Sequence, residues 1–275
     1  MKQVVFAAVA LLASSGPAAV AAPPHPQPRR IMSLKLCTDA MLLDLVVPAR
    51  IASISYLSRA PDIEKIWPQA KDIPVNHNSA EEILAVRPDL VLADDYTDPA
   101  TLALTRRAGI AVVTVPDANS FAAIRAVLRK LAHAVGAEAR GEALIAHMDG
   151  TLRRLAATRP ARAIRVLGWG DGGYVPGPGS LFDAILTAAG GVDIAGARSS
   201  FDIEQLLSAR PDLLAISASG YSGKVLRDDQ TDHPLVLSLY AGKRVYYPPL
   251  PFTCGLPQSA DAARALRGAM LRAMR

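Results

Sequence analysis

The sequence predicts an α/β protein in which two α/β lobes are bridged by one long α-helix. Three observations carry this. A helix–turn–strand unit occurs twice, as Ser79-Ala-Glu-Glu-Ile-Leu-Ala-Val-Arg-Pro-Asp-Leu-Val-Leu-Ala-Asp94 and Asp202-Ile-Glu-Gln-Leu-Leu-Ser-Ala-Arg-Pro-Asp-Leu-Leu-Ala-Ile-Ser217. Strand and helix patterns alternate around both copies, the signature of βαβ units and parallel sheets. Between the copies lies a helical stretch of about 38 residues with no strand in it. Together these describe two Rossmann-like lobes and a connector.

A shift of 123 aligns the copies with six identities in fourteen positions, Glu81 on Glu204 and Arg87-Pro-Asp-Leu90 on Arg210-Pro-Asp-Leu213 among them. Ile83, Leu84 and Val86 give the first helix an apolar face; Leu206, Leu207 and Ala209 do the same for the second. Proline cannot continue a helix and drives its predecessor out of the α region, so each helix stops near its arginine. The following residues, Val91-Leu-Ala and Leu214-Ala-Ile, run apolar without alternation, as strands covered on both faces do.

In chain order, residues 1–21 read as an export signal. Lys2 is its basic end, Val4 to Ala13 an apolar core too short to span a bilayer, and Ala19-Val-Ala21 a small-x-small cleavage site. Neither cysteine lies where a lipoprotein would be acylated, so a cleaved protein exported to a periplasm is expected. The proline-rich stretch from Ala22 to Pro28 is a lead-in. The N-terminal lobe is assigned to residues 30–117. Ile31-Met-Ser-Leu opens its first strand, and Thr38 or Asp39 caps a helix ending at Leu45. Arg50-Ile-Ala-Ser-Ile-Ser is a second strand, and a long, proline-punctuated loop with room for one short helix runs from Tyr56 to His77. The first repeat copy follows, then a helix from Pro99 to Ala108 capped by Asp98, and a strand from Ile110 to Val115.

Residues 118–160 form the connector, with Phe121, Ile124, Val127, Leu128 and Leu131 at helical spacing. The pattern resumes through Leu144, Ile145, Met148 and Leu152, and Gly136 is the point where it could break. The C-terminal lobe spans 161–275. It comprises a strand at Ala163 to Leu167, a glycine-rich loop from Trp169, a helix capped by Ser180 and stopped at Gly190-Gly191, the second repeat copy, a strand at Arg244-Val-Tyr-Tyr, a loop from Pro248 to Pro257, and a closing helix from Ser259 to Met274.

The formal charge is +5, and 51% of the 275 residues are hydrophobic. The basic residues are dispersed over helical patterns and aromatics are 5% of the chain, which argues against nucleic acid as a partner. Gly170-Asp-Gly-Gly lacks the spacing of a nucleotide-binding loop. Asp94-Asp95 is a carboxylate pair, but neighbours on a strand end point apart, and no nucleophile elbow or Cys-His motif accompanies it. Histidines and carboxylates nowhere cluster at metal-ligand spacing, so no resident metal or cofactor is expected.

Several stretches together carry a family resemblance: Arg30-Ile-Met-Ser-Leu, the two repeat units, and the Tyr174 to Ile194 segment that ends in Ala-Gly-Gly-Val-Asp-Ile. From Arg30 to Met274 the chain resembles the substrate-binding proteins of ABC importers. The likeness is to class III, whose lobes are joined by a single rigid helix and which includes the vitamin B12- and ferric-siderophore-binding proteins. The resemblance implies a monomeric periplasmic receptor that captures a metal chelate and delivers it to a permease dimer with its ATPase; the aromatic walls named below put a corrinoid first and a ferric siderophore or haem next, with a free transition metal as the alternative. It also implies that Glu81 and Glu204, one per lobe, dock into arginine pockets of that permease. Glu82 and Asp202 are the possible substitutes for them.

Open α/β sheets bind ligands beyond the carboxyl ends of their strands. That rule selects Leu34 to Thr38, Tyr56 to Ala60, Asn76 to Asn78, Asp94 to Thr97, Trp169 to Tyr174 and Phe252 to Gly255. Tyr56, Tyr96, Trp169, Tyr174 and Phe252 would supply aromatic walls, with Trp169 and Tyr56 foremost. Lys35 and Arg59 would meet an acidic chelate, and Asp95 and His77 complete the set; His77 reads either as a metal ligand or as a loop hydrogen-bonder. Cys37 and Cys254 fall on opposite lobes near the cleft edge. In an oxidising compartment they would pair across it or remain free beside the ligand.

Overall fold

The computed structural model describes residues 27–59, 67–170, 173–217 and 232–275. The expected export signal lies outside them. The first sheet is formed by β1 (Ile31–Ser33), β2 (Ile51–Ser55), β3 (Val75–Asn76), β4 (Leu90–Asp94) and β5 (Ala111–Val115), all parallel, in the order β3-β2-β1-β4-β5. It is packed by α1 (Leu36–Leu45), α2 (Ala80–Val86), α3 (Pro99–Arg107) and α4 (Phe121–Val135). The second sheet is formed by β6 (Ile164–Gly168), β7 (Gly191–Asp193), β8 (Leu213–Ser217) and β9 (Arg244–Tyr247), again parallel, in the order β7-β6-β8-β9. Its helices are α6 (Leu181–Ala189), α7 (Ile203–Ala209), α8 (Pro234–Leu239), α9 (Leu250–Thr253) and α10 (Ser259–Ala273), with α5 (Glu138–Ala157) between the lobes. Overlaying β1 on β6 puts β2 on β7, β4 on β8 and β5 on β9. Among the described residues, β3 is the first lobe's extra strand.

The repeat is built identically in both lobes. Ser79 and Asp202 each cap their helix through a reciprocal capping box, with Glu82 and Gln205 at the third helical position. Each helix ends on an arginine in the left-handed region, Arg87 and Arg210, both at φ 47°. The aspartate after each proline then grips the start of the neighbouring strand, β1 or β6: Asp89 accepts the amide of Arg30 at 3.0 Å, and Asp212 that of Arg165 at 2.9 Å. These two arginines in turn donate to the last carbonyls of the repeat helices, Val86 O at 2.6 Å and Ala209 O at 2.9 Å. Carbonyls at a helix end have no intrahelical donor, so a cation there satisfies both hydrogen bonding and the helix dipole.

The connector departs from expectation. Instead of one helix of about 38 residues, α4 and α5 form an antiparallel hairpin. Gly136 takes φ 64°, and the amide of Ala137 reaches back to Ala132 O at 2.7 Å, closing a Schellman turn that a residue with a Cβ would strain. The reversal pairs Arg125 with Asp149 and Arg129 with Glu142, residues that a continuous helix would separate. The bridge between lobes is therefore α5 alone, roughly 30 Å long at 1.5 Å per residue.

Three further differences concern capping and short elements. The N-cap of α1 is Lys35, without a side-chain cap bond, and Asp39 is buried inside the lobe. The Tyr56–His77 loop contains short 3₁₀ turns at Tyr56–Arg59 and Pro68–Asp72. The Pro248–Pro257 loop contains α9.

The lobes meet at a second seam. Cys37 and Cys254 are joined by a disulfide with Cα atoms 5.1 Å apart. Asp44 on α1 accepts from Gln258 at 2.6 Å and from Trp67 at 2.9 Å. Beside the disulfide, Gly255 presses on the backbone of Ala118: a Cβ built there would lie 2.2 Å from the Ala118 carbonyl oxygen. Gly255→Ala is expected to lower stability by about 3 kcal/mol, since neither backbone can yield without parting the seam. Urea unfolding measures it, and a loss under about 1 kcal/mol would mean the seam is compliant.

Candidate functional site

The site is built where the strands of the second lobe end. β9 finishes on Tyr247, Pro248 and Pro249 turn the chain, and α9 brings Phe252 back beside it. The glycine-rich segment after β6 leads through Tyr174 to Ser180, whose side chain caps α6, so that Phe182 enters from that helix's first turn. Tyr247 and Phe252 have ring centroids 4.2 Å apart, Phe182 and Tyr247 5.5 Å, and Phe182 and Phe252 6.0 Å, all tilted. The two longer spacings lie in the range favourable for aromatic pairs, and the Tyr247 and Phe252 rings pack closer still. With Tyr174, Ser217, Thr253 and Asn119 they line a cleft of about 530 Å³, within the range of small-molecule sites.

Partial burial pushes the Tyr247 phenol up to about 12, helped by the neighbouring Tyr174. Tyr174 is 59% exposed at the mouth. Asn119 and Thr253 also line a smaller hollow at the seam, where Asp94 and Asp117 supply the wall of the first lobe.

Of the residues selected from the sequence, Tyr174 and Phe252 line this cleft. Trp169 does not. It is 1% exposed, packs with Val175, Phe201 and Leu206, and donates its indole N–H to Phe201 O at 3.2 Å. A large ring directly after a buried strand joined the core of its own lobe. Arg59 is likewise committed, its guanidinium donating to Ala70 O and Ile73 O, where it fastens the loop after β2.

The others stand along the strand ends of the first lobe, outside the lining of the cleft. Tyr56 stacks on His77 with centroids 5.1 Å apart, and the His77 Nδ1 lies 3.0 Å from Glu82 Oε1. Lys35 Nζ lies 3.5 Å from Tyr96 O. Tyr96 is exposed and donates its hydroxyl to Asp117 at 2.9 Å, an acceptor whose hydrogen bond and charge raise the phenol's pKa. Asp95 is exposed beside it. Ala60, Asp171 and Gly172, within the selected stretches, lie outside the described residues. Glu81 and Glu204 occupy the same second helical position of α2 and α7, both exposed.

The sequence reading did not select Phe182 and Tyr247, which line the cleft. Tyr247 ends a parallel strand and was within reach of the same rule that selected Phe252. Phe182 carried no signal, because an apolar residue in the first turn of an amphipathic helix reads as core. Among the described residues no group of three or more His, Cys, Asp or Glu could hold a metal, and no helix is long and apolar enough to cross a membrane.

The chain thus carries two parallel-sheet lobes and, at the strand ends of the second, a cleft with an apolar, aromatic wall. Residues 31–247 match the model of a periplasmic binding protein family, and the chain belongs to that family. A curated relative, the uncharacterized ABC transporter substrate-binding lipoprotein YvrC of Bacillus subtilis (strain 168), is 27% identical over 130 residues. That match covers 46% of this chain and 40% of the relative, so the chain matches two fifths of the relative's length. Among solved structures, the periplasmic heme-binding protein RhuT from Roseiflexus sp. RS-1 has a TM-score of 0.73 and 24% identity, covering 90% of this chain and 99% of the other. The periplasmic vitamin B12 binding protein BtuF of Vibrio cholerae has a TM-score of 0.69 and 17% identity, with coverage of 90% and 99%. These likenesses define the two-lobed class III fold.

Proposed function

We propose that this chain is the substrate-binding component of an ABC importer and that it captures a planar metal chelate of tetrapyrrole size in its aromatic cleft. The observation that carries this is the aromatic wall of Phe182, Tyr247 and Phe252, completed by Tyr174 at the mouth. Rings of this kind cover a flat, greasy face with little loss of conformational entropy. A corrinoid and a ferric porphyrin both present such a face. A ferric siderophore would present a more compact one. The two cleft phenols favour the ferric porphyrin, because a tyrosine oxygen is an established axial donor to haem iron. The metal is cargo, held by its own chelate.

The test is titration of the purified protein with haemin, cyanocobalamin and a ferric hydroxamate. At least one should bind with Kd below about 10 μM, roughly −7 kcal/mol. Tyr174→Ala, at an exposed position, should weaken that binding about tenfold while leaving the melting temperature unchanged. Binding of none of the three would remove the reading.

Delivery to a permease would use the repeated helices. Glu81 and Glu204 are carried at equivalent places on pseudo-symmetric lobes, which suits a twofold-symmetric partner offering arginines. Charge reversal of both to Lys should leave chelate affinity in solution intact and reduce uptake in cells at least tenfold. Undiminished uptake would leave the two acids as helix N-terminal charges only.

A further inference from the structure

We infer that Arg198 and the cavity it borders form an anion subsite beside the aromatic cleft, receiving a carboxylate arm of the bound chelate. This rests on the chelate reading above and narrows it.

The cavity measures about 500 Å³ and is lined by Tyr174, Gly177, Pro178, Gly196, Arg198 and Ser199. Tyr174 lines the aromatic cleft as well, so one residue borders both spaces. The two sides are held in fixed relation by a short antiparallel pairing. Tyr174 bridges Ser200, the amide of Val175 donates to Ser199 O at 3.1 Å, and that of Phe201 to Gly173 O at 2.7 Å. Phe201 is buried and anchored through its carbonyl to Trp169. Its ring supports the Arg198 guanidinium 5.4 Å from the centroid. Thus the indole that joined the core serves the site from beneath, by fixing the residue on which the arginine rests.

Arg198 has no carboxylate at ion-pair distance among the described residues, unlike Arg125, Arg129 and Arg264. A guanidinium held over an aromatic face keeps its fork of N–H donors free and loses less freedom when it meets an anion. Its planar donors match a carboxylate in two parallel hydrogen bonds. A flat chelate lying on Tyr247 and Phe252 and extending past Tyr174 would bring its periphery to this group. A periphery of carboxylates gains from it; a periphery of amides or esters does not.

The experiment uses haemin and haemin dimethyl ester, which share the iron and the ring and differ in the charge of two arms. Each is titrated by absorbance against the wild-type protein, Arg198→Gln and Arg198→Lys. The wild type should prefer the diacid about tenfold or more, corresponding to roughly 1.4 kcal/mol for one charged contact. Arg198→Gln should erase the preference by weakening haemin binding about tenfold, with the ester changed less than twofold; Arg198→Lys should keep part of it. Raising the salt concentration should shrink the wild-type preference as well.

Equal affinities for the two compounds in the wild type, or an equal loss for both in Arg198→Gln, would overturn the subsite while leaving chelate binding in place. Binding of cyanocobalamin with neither porphyrin bound would overturn it too. Binding of no chelate at all would overturn the functional reading and the subsite with it.

Discussion

Asp39→Asn is expected to stabilise the protein at alkaline pH and to leave it unchanged in acid. Asp39 is fully buried on α1. Its Oδ2 accepts the Ser55 amide at 2.9 Å and the Ser58 hydroxyl at 2.7 Å, while Oδ1 has no partner. Burial raises its pKa to about 8, against the opposing pull of Ser33, Ser58 and the Ser55 amide, all neutral groups. In the unfolded chain an aspartate titrates near 4. Between about pH 4 and pH 8 the folded protein therefore binds a proton that the unfolded chain has lost, and stability falls as pH rises through that window. The width of that window sets an upper bound of about 5 kcal/mol on the fall.

Asparagine retains an oxygen for Ser55 and Ser58 and carries no charge. Above pH 8 the variant should gain at least about 2 kcal/mol, some 4–8 °C in Tm for a chain of this size. Below about pH 4.5 the two proteins should unfold alike. Urea unfolding across pH measures both slopes, and parallel slopes would show that Asp39 keeps its charge when buried.

Arg267→Met should lower stability by about 4 kcal/mol. This arginine on α10 is 7% exposed. It donates to Ala189 O at 2.8 Å and Ala188 O at 2.9 Å, closing the end of α6. It also donates to Leu155 O at 2.7 Å, Thr158 O at 3.1 Å and Thr158 Oγ1 at 3.0 Å, closing the end of α5. Burial, with Arg159 nearby, lowers its pKa from the usual arginine value. The charge is compensated by carbonyls at two helix C-termini, where the dipoles point their negative ends. Methionine fills comparable space but strands those acceptors, each a loss of roughly 1–3 kcal/mol before relaxation. Arg267→Lys keeps the charge on a single point and should fall between. Denaturant unfolding that gives less than about 1.5 kcal/mol for methionine would mean water reaches the carbonyls.

The repeat was legible because it is written in turn chemistry. Proline, aspartate and the capping residues act locally, so six identities were enough to locate two equivalent units. Its deeper half was not legible. Arg30 and Arg165 belong to the same construction, but the partners they bind are more than 40 positions away along the chain. The hairpin of α4 and α5 shows the converse. Periodicity on both sides of Gly136 is helical and correct, yet periodicity says nothing about the direction of the axis, which a single left-handed residue reverses.

The strand-end rule selected Tyr174 and Phe252, which line the cleft. It also selected Trp169, because a residue following a strand can turn outward or fold back under its sheet. Which it does depends on Phe201 and Leu206, supplied by a distant segment.

The bond between Cys37 and Cys254 has a consequence for how the protein is made. Its partners are 217 positions apart, so the first thiol leaves the ribosome long before the second has been made. With two cysteines in the chain, no intramolecular mispairing can occur in that interval. The bond can close only once Cys254 has been made and both lobes stand side by side. Oxidation then acts as a late seal on an assembled molecule, after which the lobes can no longer exchange partners with a neighbouring copy.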